Sequence, residues 1–377
     1  MRNLYLLILF IFLLSCTNSK TYESISLKID LLNDKHAPDA RVAVWNIDFN
    51  DKKIPIELVG ETNLKDAKNE LIEYLKSEDI LFEDNIILLP NHDFKYGIIN
   101  NSVANLRKNP SHSSELVSQT ILGTGVSILK KEGEWYLIQT PDKYISWIDH
   151  GGIVPMSKEK YDNYFASDVG VFTRPYGFSY ETKKKNKVVS DLVLGSALKI
   201  IEIRSKHTKY EYPDGRTAWI ENRLMNSISS IRGMNYSIQN LLENAHSLIG
   251  VPYLWGGTSS KGFDCSGYTK SVYLMNGYIL PRDASQQVKE GILVDNSRNW
   301  NLLEAGDLMF FGYYKDDKLR IDHVSIWLGD GYFIQSSKNV RISSVYSDNS
   351  NFDDYHMAKY IESRRIIGSN TEGIKKL

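Results

Sequence analysis

The sequence predicts an α+β protein of several modules: a small α/β unit, two small β-barrels and a C-terminal α+β domain. Three observations predict it. The chain has 377 residues, enough for about two to four domains of ordinary size. A pattern of nine residues, Val117, Ser118, Leu122, Gly123, Ile128, Pro141, Asp142, Trp147 and Ile148, recurs 72 positions later as Val189, Ser190, Leu194, Gly195, Ile200, Pro213, Asp214, Trp219 and Ile220. A register held that long means one supersecondary unit used twice. Finally, a glycine-bracketed loop, Gly262 to Gly267, runs straight into a helical pattern, and an apolar hairpin follows about 60 residues on.

Taken in order, the chain opens with Arg2, an apolar run from Leu4 to Leu14, then Ser15 and Cys16. The run is too short to span a bilayer and ends in a small residue, which reads as a signal peptide over residues 1–16. A polar linker is expected from about Lys20. Arg41 to Phe49 reads as a strand, and Ile54 to Val59 as a second that Pro55 would confine to a sheet edge. Leu64, Ala67, Leu71, Ile72 and Leu75 recur at helical spacing, and Ile86 to Leu89 is a further short strand. Residues 20–95 are thus a strand-strand-helix-strand α/β module, with His36 and His92 solvated or capping.

The repeat follows. Both copies, residues 96–153 and 165–227, alternate short apolar strands with turn residues, as small barrels do. Lys183, Lys184, Lys185 and Lys187 fall at a loop tip, where solvation is the expected role. After a linker near Ser227 to Asn235, Ser237 caps a helix with Leu241, Leu242, Ala245 and Leu248 on its apolar face, opening a domain over residues 236–368.

The chemistry lies in that last domain. Cys265 falls in the first turn of a helix, where unpaired N–H groups and the helix dipole favour a thiolate. It reads as a nucleophile. Such a nucleophile needs a base. His323 and Gln335 flank the Gly329-Asp330-Gly331 turn with the same parity, so they fall on one sheet face, opposite or diagonal to each other. Gln335 can then accept the second ring N–H of His323. Asp322 is the worse orienter, because successive strand residues point to opposite faces. Gln335→Ala is expected to reduce turnover with folding intact.

The run Val251 to Gly257, then Phe263 to Gly267, Leu280-Pro281-Arg282, Gly306 to Phe311 and His323 to Leu328 resembles the NlpC-type cell-wall cysteine peptidases, and the match spans roughly residues 236–368. The two repeat copies resemble bacterial SH3 domains. The resemblance implies a papain-like catalytic domain, with Gln335 where the family usually has a histidine. It implies that Tyr253 donates to the oxyanion, that Asp264 pairs with the ammonium of an N-terminal L-alanine, and that Ser266 bonds the same end; helix capping is the plainer reading of both flanking residues. In the tripeptide-cleaving relatives that resemble this chain, the first barrel lends a tyrosine and a glutamate to the site, which motif order carries onto Tyr144 and Glu115. A plain surface role for Tyr144 stays open. Arg282 and Asp283 either hold a substrate carboxylate or form a local ion pair, and Trp255 is either pocket wall or core. Leu13 to Cys16 resembles a lipobox, with Cys16 lipidated and the outer membrane favoured by Thr17. His246 and His356 are placed in core or surface.

The net charge of −1 gives no reason to expect a nucleic-acid partner. No metal spacing is present and the mechanism calls for no cofactor. The two cysteines, Cys16 and Cys265, leave no disulfide once one is lipidated. The expectation is an exported, lipid-anchored monomer that hydrolyses the γ-D-glutamyl–L-diamino acid bond of peptidoglycan stem peptides, favouring short peptides with a free L-alanine. Two alternatives stand beside it: a hydrolase of intact murein, which needs an open cleft, and a non-catalytic wall-binding lipoprotein.

Overall fold

A computed structural model describes residues 20–166, 168–233, 237–368 and 374–376. Cys16 and its apolar leader lie outside the described residues. Among the described residues, no helix is long and apolar enough to cross a membrane. The chain divides into two compact units, Met1–Asp93 and Phe94–Leu377.

In the first unit the expected polar linker is a helix over residues 20–36. Ile25, Ile29 and Leu32 recur at helical spacing and are buried, packed with Leu58, Leu71 and Leu75. The lysines, acids and exposed Leu27 and Leu31 between them hide that narrow stripe in the sequence. The rest is strand-strand-helix-strand as read: Trp45–Asn50, Ile56–Thr62, Lys65–Ser77 and Phe82–Leu88. Pro55 does not make its strand an edge. Ile56–Thr62 is the central strand, antiparallel to the first and parallel to the third. Pro55 precedes the ladder, and its neighbour Ile56 supplies the first N–H, to Leu81 O at 3.0 Å. His36 joins Lys28 and Lys35 around the Glu70 carboxylate.

The second unit begins with two seven-stranded antiparallel sheets, one from Tyr96–Ile99 to Ile153–Met156, the other from Val169–Phe172 to Met225–Ser227. Strand for strand, their order is the same, and the bulge between Ile128 and Lys130 recurs between Ile200 and Glu202. The repeat seen in the sequence is therefore a repeat of topology. Neither sheet closes: its edge strands do not pair with each other. In the first sheet the edge strand Leu116–Ile121 turns instead to the C-terminal domain, where Gln119 O accepts from Thr258 Oγ1 at 2.8 Å. The loop lysines of the second sheet are locally paired, Lys185 with Glu221 and Lys187 with Glu181, while Lys183 sits 4.2 Å over the Trp219 ring.

The C-terminal domain packs helices on a six-stranded antiparallel sheet. In spatial order the strands are Ile292–Asp295, Tyr360–Arg365, Leu308–Lys315, Lys318–Gly329, Tyr332–Ser337 and Asn339–Ser344. Asp330 and Gly331 both take positive φ, 51° and 84°, which gives the hairpin the twist-matched turn that its Gly-Asp-Gly sequence announces. Helix Cys265–Leu274 lies against this sheet, burying Tyr268, Val272 and Tyr273 among Phe310, Val324, Ile326 and Ile334. Helix Ile238–Ser247 starts at Ser237, whose hydroxyl accepts Asn240 N–H, and buries Leu241 and Ala245 as expected. The segment expected as a linker contains a short helix, Ile228–Gly233, that buries Ile231.

Candidate active site

Local chemistry places the thiol. Asp264 is the N-cap of the Cys265 helix and accepts Gly267 N–H at 2.7 Å, so Cys265 is the first helical residue. The preceding loop and the first helical turn leave no room for a side chain at two glycines: a Cβ on Gly256 would stand 2.4 Å from Leu116 O, and one on Gly267, in the helix, would stand 2.0 Å from Gly257 O. That closeness clamps the loop between the first sheet and its own helix.

Cys265 Sγ points to the backbone of the His323 strand, 4.0 Å from Asp322 O. The Val324 and Ser266 backbone N–H groups are turned to the sulfur and favour the thiolate, as the helix start does. Burial outweighs them. It pushes the thiol up to about 12, with the Asp264 charge adding to the rise. The same burial, with the neighbouring His356, pulls His323 down to about 3. Burial thus opposes the expected resting thiolate and a charged imidazole alike, since only 7% of Cys265 and 7% of His323 touch solvent.

The hairpin delivers the orienter as its parity demands. Ile326 pairs with Ile334, which sets Gln335 diagonal to His323, and His323 Nε2 meets Gln335 Oε1 at 2.6 Å. Asp322 points away and holds Lys359 at 2.6 Å. Ser336 Oγ donates to Phe263 O at 2.8 Å, tying the orienter's strand to the thiol's loop. Tyr253 is 37% exposed; the partial burial of its phenol, first among the causes, raises it, so it stays a donor near the sulfur. With Asp322, His323, Lys338, Tyr355 and Lys359 it lines a cavity of about 290 Å³.

The flanking residues are arranged differently from the reading that gave them to substrate. Arg282, 1% exposed, forms a bidentate pair with Asp264 at 3.1 and 2.6 Å, and also donates to Ser266 Oγ and Ser118 Oγ. Asp264 further accepts Gly256 N–H at 3.1 Å. Arg282 is thus the local ion pair and not an exposed carboxylate clamp, and both oxygens of Asp264 are committed within the protein. Asp283 stands 3.7 Å from Arg282 and caps the short helix Ala284–Gln287. Trp255 is not core: it is 64% exposed, and its Nε1 donates to Glu115 at 3.0 Å. Tyr144 is buried, with its phenol facing the charge of Arg282. The first sheet therefore brings Glu115 to Trp255 of the thiol's loop, and Ser118 and Tyr144 to Arg282.

Asp353 went unnoticed in the sequence, and His356, placed in core or surface, is a buried residue against the site. Both are buried; the His356 ring stacks on His323 with centroids 4.1 Å apart, and its Nδ1 lies 2.9 Å from Asp353. The signal was an Asp three residues before a His, which is a helix-cap spacing and by itself says nothing of catalysis. His246 is exposed and bonds its own helix at Leu242 O. Among the described residues, no group of three or more His, Cys, Asp or Glu side chains is placed to hold a metal ion.

A cysteine opening a helix, an imidazole on the adjoining sheet and a side-chain amide behind that imidazole are the groups that nucleophilic thiol chemistry calls for. Comparison narrows the class. Residues 250–362 match the NlpC/P60 family, a family of cysteine peptidases, and residues 102–154 match the bacterial SH3 domain. The chain carries both domains. It is 26% identical over 267 residues to a gamma-D-glutamyl-L-lysine dipeptidyl-peptidase of Bacillus cereus, covering 68% of this chain and 77% of that one. It is 25% identical over 246 residues to dipeptidyl-peptidase 6 of Lysinibacillus sphaericus, covering 62% and 85%. The crystal structure of an NlpC/P60 family protein from Bacillus cereus superimposes with a TM-score of 0.63 at 21% identity, covering 72% of this chain and 99% of that one, a likeness of fold.

Proposed function

We propose that this chain is a cysteine endopeptidase that cleaves the bond between γ-D-glutamate and the L-centre of the diamino acid in peptidoglycan stem peptides, favouring short peptides with a free N-terminal L-alanine. The observation that carries the reading is the set of Cys265 at the helix start, its Sγ 4.0 Å from the backbone oxygen of Asp322 in the His323 strand, and Gln335 at 2.6 Å behind the His323 ring. His323 takes the thiol proton as Sγ attacks the γ-glutamyl carbonyl. Tyr253 and the Cys265 N–H receive the developing oxyanion, each such donor contributing on the order of hundredfold or more in rate. His323 returns the proton to the departing amine, and water then hydrolyses the thioester. No step calls for a metal or cofactor.

The preference for short peptides rests on the first sheet, which reaches the thiol's loop through Glu115 and Gln119, and Arg282 through Ser118, and so narrows one end of the cleft. Since the charge of Asp264 is balanced by Arg282, Glu115 is the carboxylate that meets the substrate ammonium, with Tyr144 and Ser266 beside that end. Both seven-stranded sheets are taken as SH3-like modules. Cys16 is taken as the lipidated residue that holds an exported, monomeric enzyme at the membrane, the outer one where there are two.

The test is incubation with L-Ala-γ-D-Glu-meso-diaminopimelate and with intact sacculi, products read by mass. Release of L-Ala-γ-D-Glu from the tripeptide alone supports the reading. Equal digestion of sacculi overturns the preference, and no cleavage of either overturns the activity.

A further inference from the structure

An amide can present either its oxygen or its nitrogen to a histidine, and the two choices place the ring proton on opposite nitrogens. Here the surroundings of Gln335 decide. Its Nε2 donates to Asp353 Oδ2 at 2.6 Å and to Ser343 Oγ at 2.8 Å, and the Ser343 hydroxyl is itself directed to Asp353 at 3.4 Å. Turning the amide over would press its oxygen against a carboxylate. We propose that Asp353 is a positioning residue for His323: acting through Gln335, it fixes the ring proton on Nε2 and leaves Nδ1 as the base.

Asp353 is suited to this. Its other oxygen accepts His356 Nδ1 at 2.9 Å and His356 N–H at 3.2 Å, and Arg341 donates to Oδ2 at 2.9 Å. Burial alone would raise its carboxyl, but the bonds and charge of His356, then the Gln335 bond, hold it well below the usual carboxylate range. The carboxylate thus stays an acceptor at every working pH. His356 serves twice, holding Asp353 and stacking on His323 at 4.1 Å, which restrains the ring from turning. A neutral amide is an adequate orienter in this protein because a fixed charge stands behind it.

The inference rests on His323 being the base of the proposed peptidase, and its test has arms that need no substrate. Nitrogen NMR of histidine-labelled protein reads the tautomer directly. The wild type is expected to hold His323 with the proton on Nε2; a proton on Nδ1 overturns the inference even if no variant folds. In Asp353→Asn a population protonated on Nδ1 is expected to appear, and an unchanged tautomer overturns it. Kinetically, Asp353→Asn should lower kcat about tenfold or more with KM unchanged, within the roughly 10²–10⁴-fold that a positioned base contributes. In the Gln335→Ala background the same substitution should lose most of its effect, since the coupling to the tautomer passes through the amide and only the restraint through His356 remains; fully additive losses overturn the inference. An absence of peptide cleavage with the Nε2 tautomer intact would count against the proposed substrate and not against Asp353.

Discussion

Arg282→Met removes one partner of a buried ion pair. Asp264 would keep the Gly267 and Gly256 N–H groups and lose two charge-assisted bonds, while Ser118 and Ser266 lose a donor. With Arg282 1% exposed and the Asp264 side chain 11% exposed, water cannot replace the guanidinium. Breaking such a pair from one side costs about 3–5 kcal/mol. For a unit as long as Phe94–Leu377, at about 2 °C per kcal/mol, the melting temperature should fall by about 6–10 °C. Arg282→Met with Asp264→Asn removes both charges of the buried pair and leaves only the more exposed Asp283, and an asparagine oxygen still accepts Gly267 N–H, so the double variant should recover most of the loss. Calorimetry of the four proteins measures this. A single variant that melts as the wild type does, or a double variant whose loss is the sum of the singles, refutes the claim that the charge of Asp264 is balanced inside the protein, and with it the assignment of the substrate ammonium to Glu115.

Gln335→Ala should not be structurally silent: its side chain is fully buried and bonds His323, Ser343 and Asp353, so removal costs more than about 2 kcal/mol in unsatisfied groups and lowers turnover as well; denaturant melts and steady-state kinetics read the two. Burial holds His323 near 3 while an unfolded histidine titrates near 6.5, so between those values the unfolded chain binds the extra proton and stability should fall as pH drops from about 6.5 toward 3. His323→Gln should lose that acid limb in pH-dependent melts, and an unchanged limb would assign it elsewhere. Glu115→Gln should raise KM for free-amine tripeptide and leave KM for an N-acetylated one unchanged; an equal rise for both would remove Glu115 from ammonium binding.

Much of the fold was legible because it is written in short-range patterns. The strict repeat from Val117 to Ile148 announced one unit used twice, and the Gly-Asp-Gly turn with the parity of His323 and Gln335 announced their place on one face, opposite or diagonal; the register makes it diagonal. The helix over residues 20–36 was missed because three buried apolar residues among charges leave too narrow a stripe to separate from a linker. Both sheets are open where barrels were expected, and in the first the Leu116–Ile121 edge finds its partners in another domain, which no local pattern records. The same limit applied at the site. Helix position favours a thiolate at Cys265, but burial depends on what covers the sulfur, and that cover comes from strands far along the chain. Arg282 and Asp264 are 18 positions apart, and Gln335 and Asp353 likewise, so their commitments follow from tertiary packing alone.

The most direct test of the account is an acid quench of the enzyme turning over L-Ala-γ-D-Glu-meso-diaminopimelate, followed by peptide mapping by mass. The account predicts an L-Ala-γ-D-Glu thioester on Cys265, absent from Cys265→Ser. Turnover that continues in Cys265→Ala, or product release with the acyl group on another residue, would contradict it.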